Sequence, residues 1–303
     1  MFRTGFLIAL CALSVGAPAA AQERQALGWG RLFNNDVLGD GDDRWRTGSY
    51  TVSHARGPSW SGGLPDRFGA LLEYRLSGEI IAPSTLDDPP ADDRRYVGAL
   101  TLGLHTHFMM ARTETSAGLN LVFTGPQTGL GTFQKNIHDR FGFESPQVLD
   151  DQIPDGLHPT ALVEIGRGFR FGDTVVLRPF AEAQAGVESY LRVGGDMSVG
   201  RQWFDSLLVR DSSTGQRYVT VRGDRTPGIS LSLGGDIARV FDSVYLPSDG
   251  EADLETSRAR LRAGLHWQGE KADVFYGLTW LGKEFEQQDE TQVVGSIRIN
   301  LDF

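Results

Sequence analysis

Apolar and polar residues alternate one for one in stretch after stretch of this chain, and that alternation decides its fold class. Residues 296–303 read Ser-Ile-Arg-Ile-Asn-Leu-Asp-Phe and end on an aromatic. Ala259, Leu261, Ala263, Leu265 and Trp267 alternate with Arg258, Arg260, Arg262, Gly264 and His266. The same dyad runs through Leu100, Leu102 and Leu104, through Leu119, Leu121 and Phe123, and through Ile229, Leu231 and Leu233. A period of two sends successive side chains to opposite faces of a strand. Arg in mid-strand is costly against lipid and tolerated in a wet lumen. About twelve stretches qualify, near 25–34, 46–56, 69–81, 95–107, 113–124, 159–170, 175–188, 190–203, 228–239, 257–268, 273–284 and 292–303. An even number suits a closed antiparallel sheet with both chain ends on one side. The expected fold is all-β: a transmembrane antiparallel β-barrel of about 12 strands in a bacterial outer membrane.

Other classes fall away on composition. With 40% hydrophobic residues the chain is no disordered polymer. No apolar run of about 20 residues lies beyond the N-terminus, which argues against a helical membrane protein. A formal charge of −10 makes it a poor partner for nucleic acid. The N-terminus supplies an address. Arg3 precedes a short apolar run from Phe6 to Val15, and Ala19 and Ala21 follow in a small-x-small pattern. Residues 1–21 therefore read as a cleaved secretory signal, leaving 22–303 as one barrel domain. The single cysteine, Cys11, lies inside that signal, so the mature chain is expected to use no disulfide.

Short turns such as 171–174 and 269–272 are expected on the periplasmic side. The longer segments 35–45, 82–94, 125–158 and 240–256 are expected outside the cell. The connection 204–227 breaks this rule, being long yet periplasmic, and nothing in its sequence reading accounts for it. The longest loop, 125–158, carries the chemistry. Residues 132–141 look helical, with Gly142 as a C-terminal cap and Pro146 beyond it. Gln134 and His138 stand four apart and share a helix face. Glu144 follows the glycine turn, from which its carboxylate can return to the imidazole, the arrangement a general base needs. The first loop, Asn34-Asn35-Asp36 through Asp40, Asp42 and Asp43, is rich in oxygen ligands of the kind Ca2+ prefers, but does not match an EF-hand.

Four segments together resemble the outer-membrane lipid A 3'-O-deacylases (LpxR type). They are Asn35-Asp36; Asp43-Arg44-Trp45-Arg46-Thr47-Gly48; Ala82-Pro83-Ser84 followed by Asp92-Asp93-Arg94-Arg95-Tyr96-Val97-Gly98; and Gly125-Pro126 through Gln134-x3-His138-x5-Glu144 to Asp151-Gln152. The resemblance implies a twelve-stranded barrel whose site faces the outer leaflet. It implies a calcium-dependent esterase that removes the 3'-acyloxyacyl group of lipid A. His138 corresponds to the general base and Glu144 to its supporting carboxylate. Asn35, Asp36 and Thr47 correspond to the groups that hold the metal and the oxyanion, with Asp36 and Asn35 as metal ligands. The implied partner is lipopolysaccharide in the membrane, and a monomer is the expected state. The chain departs from the pattern in one charged position: the family's Lys after the third strand has no counterpart, and Asp88 stands nearest. Arg94 or Arg95 is the remaining cation placed to meet a lipid A phosphate. Two other readings compete. An outer-membrane phospholipase needs a Ser nucleophile close to His, and no such spacing stands out. A porin or structural barrel needs a wide charged lumen, and twelve strands are few for one.

Overall fold

The computed structural model describes residues 24–143, 145–201, 203–223 and 226–301. The expected signal segment, Glu144 and the terminal Phe303 lie outside the described residues. Fifteen strands are present among those described: β1 (Gln25–Asn35), β2 (Trp45–Gly57), β3 (Leu72–Ala82), β4 (Val97–Met110), β5 (Thr113–Thr124), β6 (Gly156–Gly166), β7 (Phe169–Phe171), β8 (Val175–Ala185), β9 (Glu188–Val199), β10 (Leu207–Arg210), β11 (Arg217–Val221), β12 (Gly228–Ser243), β13 (Ser257–Gln268), β14 (Ala272–Leu281) and β15 (Gln292–Leu301). Neighbours pair antiparallel around the ring. β1 meets β15, and β6 meets β8, so the sheet closes on itself. Twelve strands form the wall; β7 is a short continuation beside β8. Closure leaves no unpaired edge, which is what a strand-built membrane span requires. No helix among the described residues is long and apolar enough to cross a membrane.

The dyad sorts the two faces as the sequence implies. Leu102, Leu104, Leu119, Leu191, Val193, Leu231 and Leu261 are exposed on the outside, Leu119 by 69%. The alternate positions turn inward, and many of them are polar or charged and buried. Arg178 bonds Glu164 at 2.7 Å, Arg210 bonds Glu164 at 2.6 Å and Asp196 at 2.8 Å, and Arg262 bonds Asp196 at 2.6 Å. Each of these buried charges therefore has an opposite partner, the condition under which burying charge is tolerable.

The long connection between β9 and β12 resolves the anomaly in the sequence. It folds back into the barrel, where β10 and β11 pair as a hairpin. Leu207, Val209, Tyr218, Val219 and Val221 pack with wall residues Leu32, Ala55 and Phe275. Gln216 Nε2 donates to Ala263 O at 3.2 Å, and Arg298 Nη1 donates to Val219 O at 3.2 Å. The wall is carved to receive it. A Cβ at Gly28 would lie 2.3 Å from Thr220 O, and one at Gly30 would lie 2.8 Å from the Tyr218 ring. Beside the hairpin remains a polar cavity of about 360 Å³. At the loop end it is covered by ion pairs and an apolar cluster. Arg46 bonds Glu79 and Glu284, each at 2.9 Å, and Ile81, Val97, Val122, Ile153, Val187 and Tyr245 pack together. A lumen filled this way does not favour the porin reading.

Candidate active site

The site is built where β1 ends and β2 begins. Asn34 faces Ser49 and Asn35 faces Gly48 across the ladder. Alternation sends the Asn34 side chain into the lumen and turns Asn35 outward with Phe33, which is 41% exposed. The chain then tightens into a 3-10 turn, Asp36–Leu38, capped by Asn35. Asn35 Oδ1 accepts from Val37 N at 3.1 Å, while its Nδ2 donates to Thr47 O at 2.8 Å. One amide thus clips the two chain segments together. Opposite, the pairing of β2 with β3 slips between Trp45 and Gly48. A bulge re-aims side chains. Here Arg46 enters the lumen while Thr47 turns to Asp36.

Asp36 is fully buried, and both oxygens are engaged. Oδ1 accepts from Val37 N at 2.9 Å; Oδ2 accepts from Arg44 N at 2.8 Å and from the Thr47 hydroxyl at 2.9 Å. Burial pushes the Asp36 carboxyl up to about 8, against those hydrogen bonds, and the nearby Asp43 carboxylate pushes the same way. The Thr47 hydroxyl also lies in hydrogen-bonding contact with Asp43 Oδ1. It has one proton for two carboxylates.

The 125–155 loop brings the third component. Its helix α1 (Leu130–Phe141) ends on Gly142 in the left-handed region, whose N–H caps His138 O. The expected helix 132–141 is therefore present and starts two residues earlier. α1 lies on the outer face of β3 and β4, where glycine lets it come close. Leu130 side-chain carbons are 3.5 Å from where a Gly78 Cβ would be, and 3.2 Å from that of Gly98. Gln134 and His138 share the buried face, as their spacing implies. Tyr96 donates to Gln134 Oε1 at 2.9 Å, and Gln134 Nε2 stands 3.5 Å from Asp43 Oδ1. His138 Nε2 lies 3.1 Å from Asp43 Oδ2. Phe143 packs edge-on against the imidazole, with centroids 5.7 Å apart, and its N–H donates to His138 O at 3.0 Å. The residue preceding Glu144 is thus held against His138; Glu144 itself lies outside the described residues. Phe133, Phe141 and Phe143 are exposed around the site.

Four of the five expected residues are therefore described, and Asp36, Thr47 and His138 are joined through a residue to which the sequence reading gave no role in the site. That residue is Asp43, which touches Thr47 and His138 and stands at the limit of hydrogen bonding to Gln134. Its signal was the Asp43-x3-Thr47 spacing ahead of the second strand. Among the described residues no three His, Cys, Asp or Glu side chains form a ready-made metal cluster. A cation here needs hydroxyl or amide oxygens beside the carboxylates. Of the two candidate phosphate-binding cations, Arg94 is buried and donates to Glu284 at 2.5 Å. Arg95 sits at the rim, 3.7 Å from Asp151.

Comparison with known proteins bears on the fold and on the family. The solved structure of LpxR from Salmonella typhimurium superposes with a TM-score of 0.75 at 17% identity, covering 91% of this chain and all of that one. At that identity the likeness establishes the fold alone. The NanC porin covers similar lengths (91% of this chain, 100% of that one) at 5% identity and a TM-score of 0.44. The β domain of the Bordetella autotransporter BrkA covers 92% and 99% at 13% identity and a TM-score of 0.42. No curated protein matches the sequence. The family model described as outer membrane protein LpxR matches residues 6–303, nearly the whole chain, and the chain belongs to that family.

Proposed function

We propose that this chain is a Ca2+-dependent ester hydrolase that removes the 3'-acyloxyacyl group of lipid A in the outer leaflet. The observation that carries the reading is the meeting of His138, Asp43, Thr47 and Asp36 on the outside of the barrel wall. A site opening into the lumen would serve a soluble substrate. One beneath α1, ringed by exposed Phe133, Phe141 and Phe143, suits an ester at the edge of a bilayer.

The residues fit the implied metal. Asp36, Asp43 and Thr47 offer oxygen only, and Ca2+ prefers hard oxygen ligands. Thr47 can satisfy only one of its two carboxylates with its single proton, so a cation would relieve the crowding of charge. When bound, Ca2+ would polarise the ester carbonyl and stabilise negative charge on its oxygen. Asn35 holds the Asp36 and Thr47 segments at fixed spacing through its clip. His138 takes a proton from water at Nε2, the nitrogen turned toward the carboxylates. The hydroxide bonds to the acyl carbon, and the tetrahedral adduct then breaks its bond to the sugar 3'-oxygen. That oxygen leaves with the proton His138 holds. Asp43 Oδ2, 3.1 Å from Nε2, accepts the N–H that forms there and stabilises the imidazolium between the two transfers. The family resemblance gives Glu144 the role of a second supporting carboxylate, and in this reading Arg95 is the cation that meets a phosphate.

Purified protein acting on purified lipid A tests this. Release of the acyloxyacyl acid should stop in EGTA and return with Ca2+. Full activity in EGTA would remove the metal from the account, and no release with Ca2+ would remove the reading itself.

A further inference from the structure

The wall that carries the site is one strand thick, and its inner side is occupied. On the outer side stand Asn35, Asp36 and Thr47. Directly behind them, Asn34 and Ser49 face the lumen, where the tip of the β10–β11 hairpin meets them. Asn34 Nδ2 donates to Ser49 Oγ at 2.8 Å and to Asp211 Oδ2 at 3.1 Å; Asn34 Oδ1 accepts from Ser296 Oγ at 2.7 Å. Both amide hydrogens are thereby spent, one of them on the hairpin. Asp211 is itself fixed within the tip: its Oδ2 accepts from Thr214 N at 2.9 Å and from Thr214 Oγ1 at 2.8 Å. Thr51 Oγ1 lies 3.4 Å from Oδ1. Asn34 and Asp211 are each 1% exposed, so losing a partner costs more than it would at an open surface. The residue after Asn34 is Asn35, whose amide sets the spacing of Asp36 and Thr47.

We infer that Asp211, reached from the opposite side of the wall, is a positioning residue for the outer site, and that the hairpin serves as the internal support of that site. The catalytic part of this inference rests on the reading above; the positioning part does not. Asp211 touches no substrate. It acts by fixing Asn34 and hence the register of the Asn35–Asp36 turn.

Hydrogen–deuterium exchange of the peptide spanning 34–45 and esterase kinetics, measured on the full-length protein in detergent, test it. The amides of Val37 and Arg44, which bond to Asn35 and Asp36, report the turn directly. Asp211→Ala should speed their exchange about tenfold and lower kcat about tenfold or more with KM little changed. In an Asn34→Ala background, which already lacks the amide through which Asp211 acts, adding Asp211→Ala should cost nothing further. Asp211→Asn keeps an acceptor oxygen and should restore most of both readouts; it also replaces Asp211→Ala if the latter fails to fold. Gln216→Ala, which frees the same hairpin from β13 and β14, should leave the 34–45 exchange as in the wild type. Wild-type exchange and kcat in a folded Asp211 variant would overturn the inference, as would losses that multiply with Asn34→Ala. If the wild type releases no acid from lipid A, the functional reading falls, and the exchange measurement alone decides the role of Asp211.

Discussion

Gly98→Val should disable the site without touching any residue in it. Gly98 lies on the outer face of β4, under the loop that carries α1. A Cβ there would stand 2.7 Å from Thr128 Oγ1 and 3.2 Å from Leu130 Cβ. Carbon contacts are optimal at about 3.5–4.0 Å, so the loop has to rise by roughly 0.5–1 Å, more for the two methyls of Val. Thr128 cannot simply swing away, because its hydroxyl donates to Gly125 O at 2.8 Å. Losing that bond costs about 1 kcal/mol. His138 sits two turns along the same helix and rises with it. A misplacement of about 1 Å at a reacting group costs on the order of a hundredfold in rate. Gly98→Val should therefore lower kcat about 10- to 100-fold, and Gly98→Ala by less. The assay is acid release from lipid A in detergent micelles, beside the gel shift of the heat-modifiable barrel as a folding control. A folded Gly98→Val protein with wild-type kcat would refute the claim that α1 must seat closely on β3 and β4.

Further outcomes follow from the same geometry. His138→Ala should cost about 10²–10⁴-fold in kcat, and adding Glu144→Ala should cost little more; losses that multiply would show that the two do not act as a unit. Asp43→Asn, which removes the negative charge facing Nε2, should cost about a hundredfold, and unchanged kinetics would return Asp43 to a mere loop residue. In planar bilayers the wild type should show no steady conductance, while Gly30→Leu, whose side chain collides with Tyr218 and Thr220, should displace the hairpin and open the lumen; a closed Gly30→Leu barrel, or an open wild type, would contradict the plug.

The sequence made the wall legible because one physical rule, a period of two with lipid outside and water inside, acts on every strand. The boundaries of β5 and β13 fall where the alternation puts them. The inner hairpin escaped because its environment is neither lipid nor bulk water. Leu207-Leu208-Val209 and Tyr218-Val219-Thr220-Val221 flank a Ser-Ser-Thr-Gly turn, a recognisable hairpin signal. The sequence reading took 204–227 only as an unexplained long connection. In the site, His138 and Gln134 were legible from helical spacing, and Thr47 and Asp36 from the loop. Asp43 was undervalued because an acidic run looks alike along its length. Only the bulge at Arg46–Thr47 and the approach of α1 separate Asp43 from Asp40 and Asp42. Such long-range meetings leave no local pattern to read.

Lipid A extracted from cells tests the central claim most directly. Mass spectra should be recorded with the wild-type chain, with His138→Ala and with no copy of the gene. The account predicts that the wild type alone yields a species lighter by one acyloxyacyl group. Identical spectra from the three strains, with the protein present and folded in the outer membrane, would contradict it, and so would the same loss of mass in the His138→Ala strain.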